Sequence, residues 1–182
     1  MLGMLQEKGY TFTDDEAEAD VVVVNTCCFI GHRTVDETDE LKRRLRETVE
    51  KLINEKNVSI FLFGSKSRFN DLCYRITSET RQKYPHIKRV YVRAEYPVIG
   101  EDYKKYLLKK YEDTYYPEKI LNAGRAVYIE RNREMIKRSR FCVVYYTQHK
   151  TDGYKSGTEI AFNYAASLSD RVIINTAEPC LL

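Results

Sequence analysis

Apolar runs alternate with amphipathic stretches along most of the chain. Runs at 20–30, 58–63, 87–93, 141–147 and 171–175 read as strands, with a weaker one at 126–129. "VVVV", "IFLF" and "CVVYY" lack the in-out alternation of a half-buried strand, which marks strands covered on both faces. Between the first two runs, Leu41, Leu45, Val49, Leu52 and Ile53 recur at helical spacing with charges around them. Thr34 with Glu37 fits a capping box for this helix, and Asp36 is a second candidate cap. Further helices are predicted over 67–83, ending before Pro85, over 130–139, and over 158–168.

Strand and helix in alternation predict an α/β fold: a Rossmann-like, doubly wound parallel sheet in three α/β/α layers. Such folds bind ligands beyond the carboxyl ends of the strands, where the strand order reverses. The residues after each strand are therefore the candidate site. They are Gly31, His32 and Arg33 after the first run, Gly64, Ser65 and Arg68 after the second, and Ser156, Gly157 and Thr158 after the fifth. Gly153 lies in the same loop as the last group. Two of these loops open helices, whose free N–H groups and dipole favour an anion. Arg131 and Asn132 near the start of the third helix are candidates for the same crevice, or else part of a solvated basic turn.

The stretch 100–124 breaks the alternation and carries Tyr103, Tyr106, Tyr111, Tyr115 and Tyr116. It reads either as a surface helix packed on the core or as an aromatic flap over a ligand; interleaved lysines also suit single-stranded nucleic acid.

At 182 residues the chain has the length of one domain, and its net charge of +3 is too small to argue for nucleic acid. No apolar run reaches the roughly 20 residues of a membrane helix, and no leader is evident, so the expected location is cytoplasmic, with no membrane partner. The five cysteines, at 27, 28, 73, 142 and 180, include no CxxC pair. They read mostly as reduced core thiols; no metal site and no cofactor are expected.

From Cys27 on, "CCFIGHR" (27–33), "FLFGSKSRF" (61–69), "YPHIKRVYV" (84–92), "TYYPE" (114–118), "IERNREMIKRSRFCVVYY" (129–146) and "KSGTEIAFNYA" (155–165) resemble the SLOG superfamily in its bacterial YspA-like/YpsA-like branch. The resemblance implies a Rossmann-like sensor or processor of nucleotide-derived ligands, with Gly31, His32, Arg33, Gly64, Ser65, Arg131, Asn132, Ser156, Gly157 and Thr158 at the site. The superfamily's phosphoribohydrolases carry PGGxGTxxE. Here Tyr154-Lys155-Ser156-Gly157-Thr158-Glu159 lacks the Pro-Gly-Gly, and Phe162 stands in the place of the catalytic Glu.

The first 30 residues, "MLGMLQEKGYTFTDDEAEADVVVVNTCCFI", resemble instead part of the N-terminal domain of the radical-SAM methylthiotransferases that modify tRNA or a ribosomal protein. That resemblance implies a cluster-ligand role for Cys27, but the upstream Gly-Cys motif and a CxxxCxxC are absent from this sequence. Two families meeting at "CCFI" suggest a fusion or chimera, with an extension over 1–26 and a Rossmann domain over 27–182.

The expected function is binding or sensing of a nucleotide-derived, phosphate-bearing small molecule, by a protein that is not an enzyme and whose self-association is open. The alternatives are a nucleotide N-glycosidase, for which Glu95, Glu130 and Glu159 are the available carboxylates, and a single-stranded nucleic acid binder. No catalytic residue is assigned.

Overall fold

The computed structural model describes residues 24–147 and 156–177. Most of the extension expected over 1–26, the start of the first expected strand, Gly153 and Cys180 lie outside the described residues. Six strands form one all-parallel sheet: β1 (Asn25–Gly31), β2 (Val58–Phe63), β3 (Lys88–Val92), β4 (Asp113–Tyr115), β5 (Phe141–Tyr145) and β6 (Val172–Asn175). Their order is β4-β3-β2-β1-β5-β6, so the chain reverses its direction of growth between β1 and β5. The helices are α1 (Asp39–Lys56), α2 (Arg68–Lys83), α3 (Glu101–Leu108), α4 (Val127–Arg138) and α5 (Gly157–Ala166). This is the expected three-layer, doubly wound α/β architecture.

The pleat divides the core in two. Cys27 and Phe29 of β1 point to the side of α1 and α2, where they meet Leu45, Val49, Phe69 and Cys73. Cys28 and Ile30 point to the side of α4 and α5, among Met135, Ile136, Ala161 and Ala165. With apolar partners on both faces, β1 and β5 are almost wholly buried, which explains their unalternating sequences. The pairing of β1 with β2 shifts register between Asn25 and Thr26.

The weak strand expected at 126–129 is not a strand. Gly124–Ala126 forms a short 3-10 turn and α4 begins at Val127. Val127, Arg131 and Met135 recur at a spacing of four and are all buried, so helical packing overrides the local β-branched character. The edge strand is instead β4, missed because only three residues pair. It is held to β3 by its ladder and by the Thr114 hydroxyl, which donates to the Tyr91 carbonyl at 2.8 Å.

The cap of α1 is also displaced from expectation. Thr38, not Thr34 or Asp36, adopts the extended N-cap conformation and accepts from the Leu41 N–H at 3.2 Å. Ser67 caps α2 and Ser156 caps α5 by the same geometry. In the stretch 100–124, α3 packs on the core through Leu107, with Tyr103 and Tyr111 against the same cluster. Among the described residues no helix is long and apolar enough to cross a membrane.

Candidate functional site

A crevice of about 1070 Å³ opens at the carboxyl ends of the strands, over the β1/β5 reversal. Gly31, His32, Arg33, Gly64, Ser65, Arg131, Asn132, Ser156, Gly157 and Thr158 all line it. Arg68 does not. Its backbone N–H donates to the Arg33 carbonyl at 3.1 Å, and its side chain is exposed elsewhere. The mouth and far wall bring in Lys66, Glu95, Tyr96, Tyr103 and Tyr128, and Tyr91 also lines the cavity. Only the tertiary path of the 94–128 segment brings this wall to the crevice.

Two glycines are required by close approach. A methyl on Gly31 would collide with the Phe69 ring at the start of α2. A methyl on Gly64 would lie 2.6 Å from Arg131 Cδ and 2.7 Å from Met135 Sδ. The end of β2 is therefore pressed directly against α4. Gly157 has no such neighbour among the described residues, and α5 needs no glycine there for space.

His32 bridges the two strands at the reversal. Its backbone N–H donates to the Tyr145 carbonyl at 3.3 Å, and its ring Nε2 accepts from the Thr147 N–H at 3.1 Å. Accepting at Nε2 leaves the proton of a neutral ring on Nδ1. His32 thus has a structural duty at the crevice edge.

Arg131 forms the floor. It is buried, its Nε donates to Asn132 Oδ1 at 3.0 Å, and its Nη1 donates to the Gly64 carbonyl. The Tyr91 hydroxyl donates to the same carbonyl at 3.0 Å. Burial pushes the Arg131 guanidinium below its ordinary pKa, and the groups that oppose this are the hydroxyls of Tyr91, Tyr103 and Tyr128. Among the described residues no carboxylate pairs with it. Burial also raises the Tyr103 hydroxyl, helped by its contact with Tyr91 and opposed by Lys66, which sits 5.1 Å above the Tyr103 ring.

The one carboxylate among the described lining residues is already engaged. Glu95 Oε1 accepts from Arg93 Nε and Glu95 Oε2 from the Gly100 N–H, each at 2.6 Å. Glu130 pairs with Arg133 at 2.7 Å, and Glu159 occupies the first turn of α5 behind the Ser156 cap. The crevice therefore offers a buried cation, the exposed Arg33 and Lys66, and the first turns of α2 and α5. Such a lining can stabilise an oxyanion, and among the described lining residues the one carboxylate, Glu95, is taken up by Arg93 and the Gly100 N–H.

The thiols do not fit an iron–sulfur cluster. Cys27 shares its side of the sheet with Cys73, and Cys28 shares the opposite side with Cys142. The sheet itself separates the pairs, all four thiols are buried, and the described residues hold no group of three metal-binding side chains. Burial raises the Cys27 and Cys73 thiols well above the ordinary value, the opposite of what ligation needs.

Fold and site thus define a doubly wound α/β protein with a crevice, floored by a buried guanidinium, at its strand reversal. Comparison with known proteins places it more closely. The uncharacterized protein family UPF0004 matches residues 1–68, a span that runs across the expected boundary at 26/27. The ribosomal protein uS12 methylthiotransferase RimO of Pelotomaculum thermopropionicum is 28% identical over 154 residues, covering 79% of this chain and 32% of the relative. RimO of Sulfurovum sp. is 32% identical over 145 residues, covering 78% and 29%. RimO of Lachnoclostridium phytofermentans is 60% identical over 30 residues, 16% of this chain and 7% of the relative. The chain is similar to the N-terminal domain of MiaB/RimO-type methylthiotransferases, and spans about a third or less of the length of these relatives.

These findings correct the functional expectation. Proteins similar along nearly four-fifths of the chain are named as methylthiotransferases, an enzyme class. That overturns the nucleotide-sensing reading, with its glycosidase and single-strand alternatives, and the expectation of a protein that is not an enzyme. For the glycosidase, the engaged Glu95 of the crevice agrees. The "IGHR" and "FGSKS" loops are crevice walls, and they fall inside the segment that UPF0004 covers.

Proposed function

We propose that this chain is the substrate-docking α/β domain of a methylthiotransferase-type enzyme, whose crevice receives an anionic group of its macromolecular substrate. One observation carries the reading: the family match over 1–68 contains β1, β2 and the crevice walls Gly31–Arg33 and Gly64–Ser67, and the longer relatives continue through most of the chain. The buried Arg131, which has no carboxylate partner among the described residues, supplies the reason an anion belongs there. The chain's own residues bind and orient. Arg131 and Lys66 would hold the anion, Gly64 and Tyr91 fix the guanidinium, and Tyr96 and Tyr128 at the mouth shield it from water. The transfer itself is radical and iron–sulfur chemistry, which the thiol arrangement of these residues does not support.

The substrate class follows the relatives' name: ribosomal protein uS12. A cytoplasmic location goes with that substrate. The likeness of residues 27–175 to the SLOG superfamily is kept as a proposal about ancestry and carries no activity with it. The test is direct binding of labelled uS12 to this chain by fluorescence anisotropy. Binding that weakens at least tenfold in the double variant Arg33→Glu, Lys66→Glu supports the reading. A folded protein that ignores uS12, both free and in small ribosomal subunits, refutes it.

A further inference from the structure

Two thiols face each other beneath the strand reversal. Cys28 of β1 and Cys142 of β5 are register partners in neighbouring parallel strands, and both project into the core on the side of α4 and α5. Their Sγ atoms are 3.5 Å apart. Partner Cα atoms in adjacent strands lie about 4.8 Å apart, inside the range of roughly 4.4–6.8 Å that a disulfide spans. Shortening the sulfur separation to about 2.05 Å requires side-chain rotation and a small approach of the strands, with no change of register.

We propose that Cys28 and Cys142 are an oxidative modification site, closing to an intramolecular disulfide that clamps β1 to β5 directly below the crevice. The pair is asymmetric. The Cys28 S–H donates to Cys142 Sγ; that bond, with the nearby charge of Arg171, holds the Cys142 thiol below its ordinary value against the effect of burial. The same hydrogen bond, with burial, raises Cys28. Cys142 is therefore the attacking sulfur and Cys28 the resolving one. The buried Ser139 hydroxyl neighbours Cys28 and has no other hydrogen-bond partner among the described residues, so it can donate to the thiolate that forms during resolution.

With a peroxide as oxidant the chemistry balances. The Cys142 thiolate attacks one peroxide oxygen, the O–O bond breaks, and hydroxide leaves to take up a proton. The resulting sulfenic acid is attacked by Cys28 sulfur, which gives up its proton. The S–O bond breaks, water leaves, and the S–S bond forms. Two thiols lose two electrons and one hydrogen peroxide becomes two waters. A small neutral oxidant is required because both sulfurs are buried beneath Ala161 and Ala165 of α5, with β6 as the outer strand. The strands so clamped carry Gly31 and Tyr145 three residues further on, where His32 joins their loops.

The test uses the full chain carrying Cys180→Ser, treated with hydrogen peroxide under native conditions, blocked by alkylation and digested for mass spectrometry. The expected product is a Cys28–Cys142 linked peptide, lighter by two hydrogens and reversed by dithiothreitol. Cys142→Ser should remove it and leave Cys28 unoxidised. Cys28→Ser should leave Cys142 as a sulfenic acid that dimedone traps. Circular dichroism confirms that each variant folds. A Cys27–Cys73 linkage, or four thiols that alkylate only after unfolding and stay reduced under peroxide, overturns the proposal. Equal oxidation of the two single variants overturns the assigned order of attack.

Discussion

Arg131 donates to the main-chain oxygen of Gly64, and this contact ties the floor of the crevice to the end of β2. The same oxygen accepts from the Tyr91 hydroxyl, so both of its lone pairs are used. A guanidinium this deeply buried costs desolvation energy that no acid among the described residues offsets. The fold does not need the charge to satisfy Gly64, because Tyr91 already does so. Under the proposed docking role, the charge supplies attraction for an anionic group entering the crevice.

Arg131→Met separates these roles. It keeps much of the volume, removes the buried charge and leaves the Gly64 carbonyl bonded to Tyr91. Stability should stay within about 1 kcal/mol of the parent or rise. Affinity for uS12 should fall at least tenfold. Urea unfolding and anisotropy on the same samples measure both, and a collapse in stability with binding retained would make the guanidinium a structural group.

The glycines make a graded series. Gly31→Ala and Gly64→Ala place a methyl against Phe69 and against Arg131 with Met135, and each should cost about 1–3 kcal/mol. Gly157→Ala meets nothing within 4 Å and should lie within about 0.5 kcal/mol of the parent. The midpoints of urea unfolding rank the three. A large loss at Gly157 would show that space does not decide these positions.

The caps test the start of α1. Thr38→Ala removes the acceptor of the Leu41 N–H and should cost about 1 kcal/mol. Thr34→Ala, four residues earlier and outside the helix, should cost almost nothing. Thermal unfolding distinguishes the two.

The doubly wound sheet was legible because β1, β2 and β5 are buried on both faces and so read as unbroken apolar runs. The loops after them were legible for the same reason, since strand ends mark the crevice in this architecture. The helices over 67–83 and 158–168 were legible from their apolar spacing, while their caps, Ser67 and Ser156, emerged only in the structure. The rest depended on distant partners. β4 is visible only through its pairing with Val90–Val92, and Val127–Ile129 joins a helix because its buried face meets the core. The wall formed by Tyr91, Tyr103 and Tyr128 comes from three elements whose meeting no local pattern encodes. The function was misread because a crevice lined by cations and helix starts does not specify its ligand. The methylthiotransferase likeness was legible in the first 30 residues, but its extent along the chain was not.

Acid sensitivity should trace to Glu112. Its carboxylate accepts from the Arg89 N–H at 2.8 Å, Arg89 Nε at 3.0 Å and Arg89 Nη2 at 2.6 Å, joining β3 to the segment before β4. Burial alone would raise its pKa, but these contacts, with Arg81 beyond them, outweigh burial and lower it. A folded-state pKa below the unfolded value gives stability that is complete above the unfolded value, about 4.3, and is lost as pH falls through the folded one. Denaturant unfolding from pH 7 down to about 3 should therefore show a decline that Glu112→Gln flattens. At neutral pH the same substitution should cost about 1–3 kcal/mol, because the buried Arg89 loses its carboxylate to a neutral amide that cannot match the charge, leaving the Tyr74 ring and the Ser78 hydroxyl as its other contacts. If the variant kept the parent's slope in acid, the decline would have to come from another carboxylate.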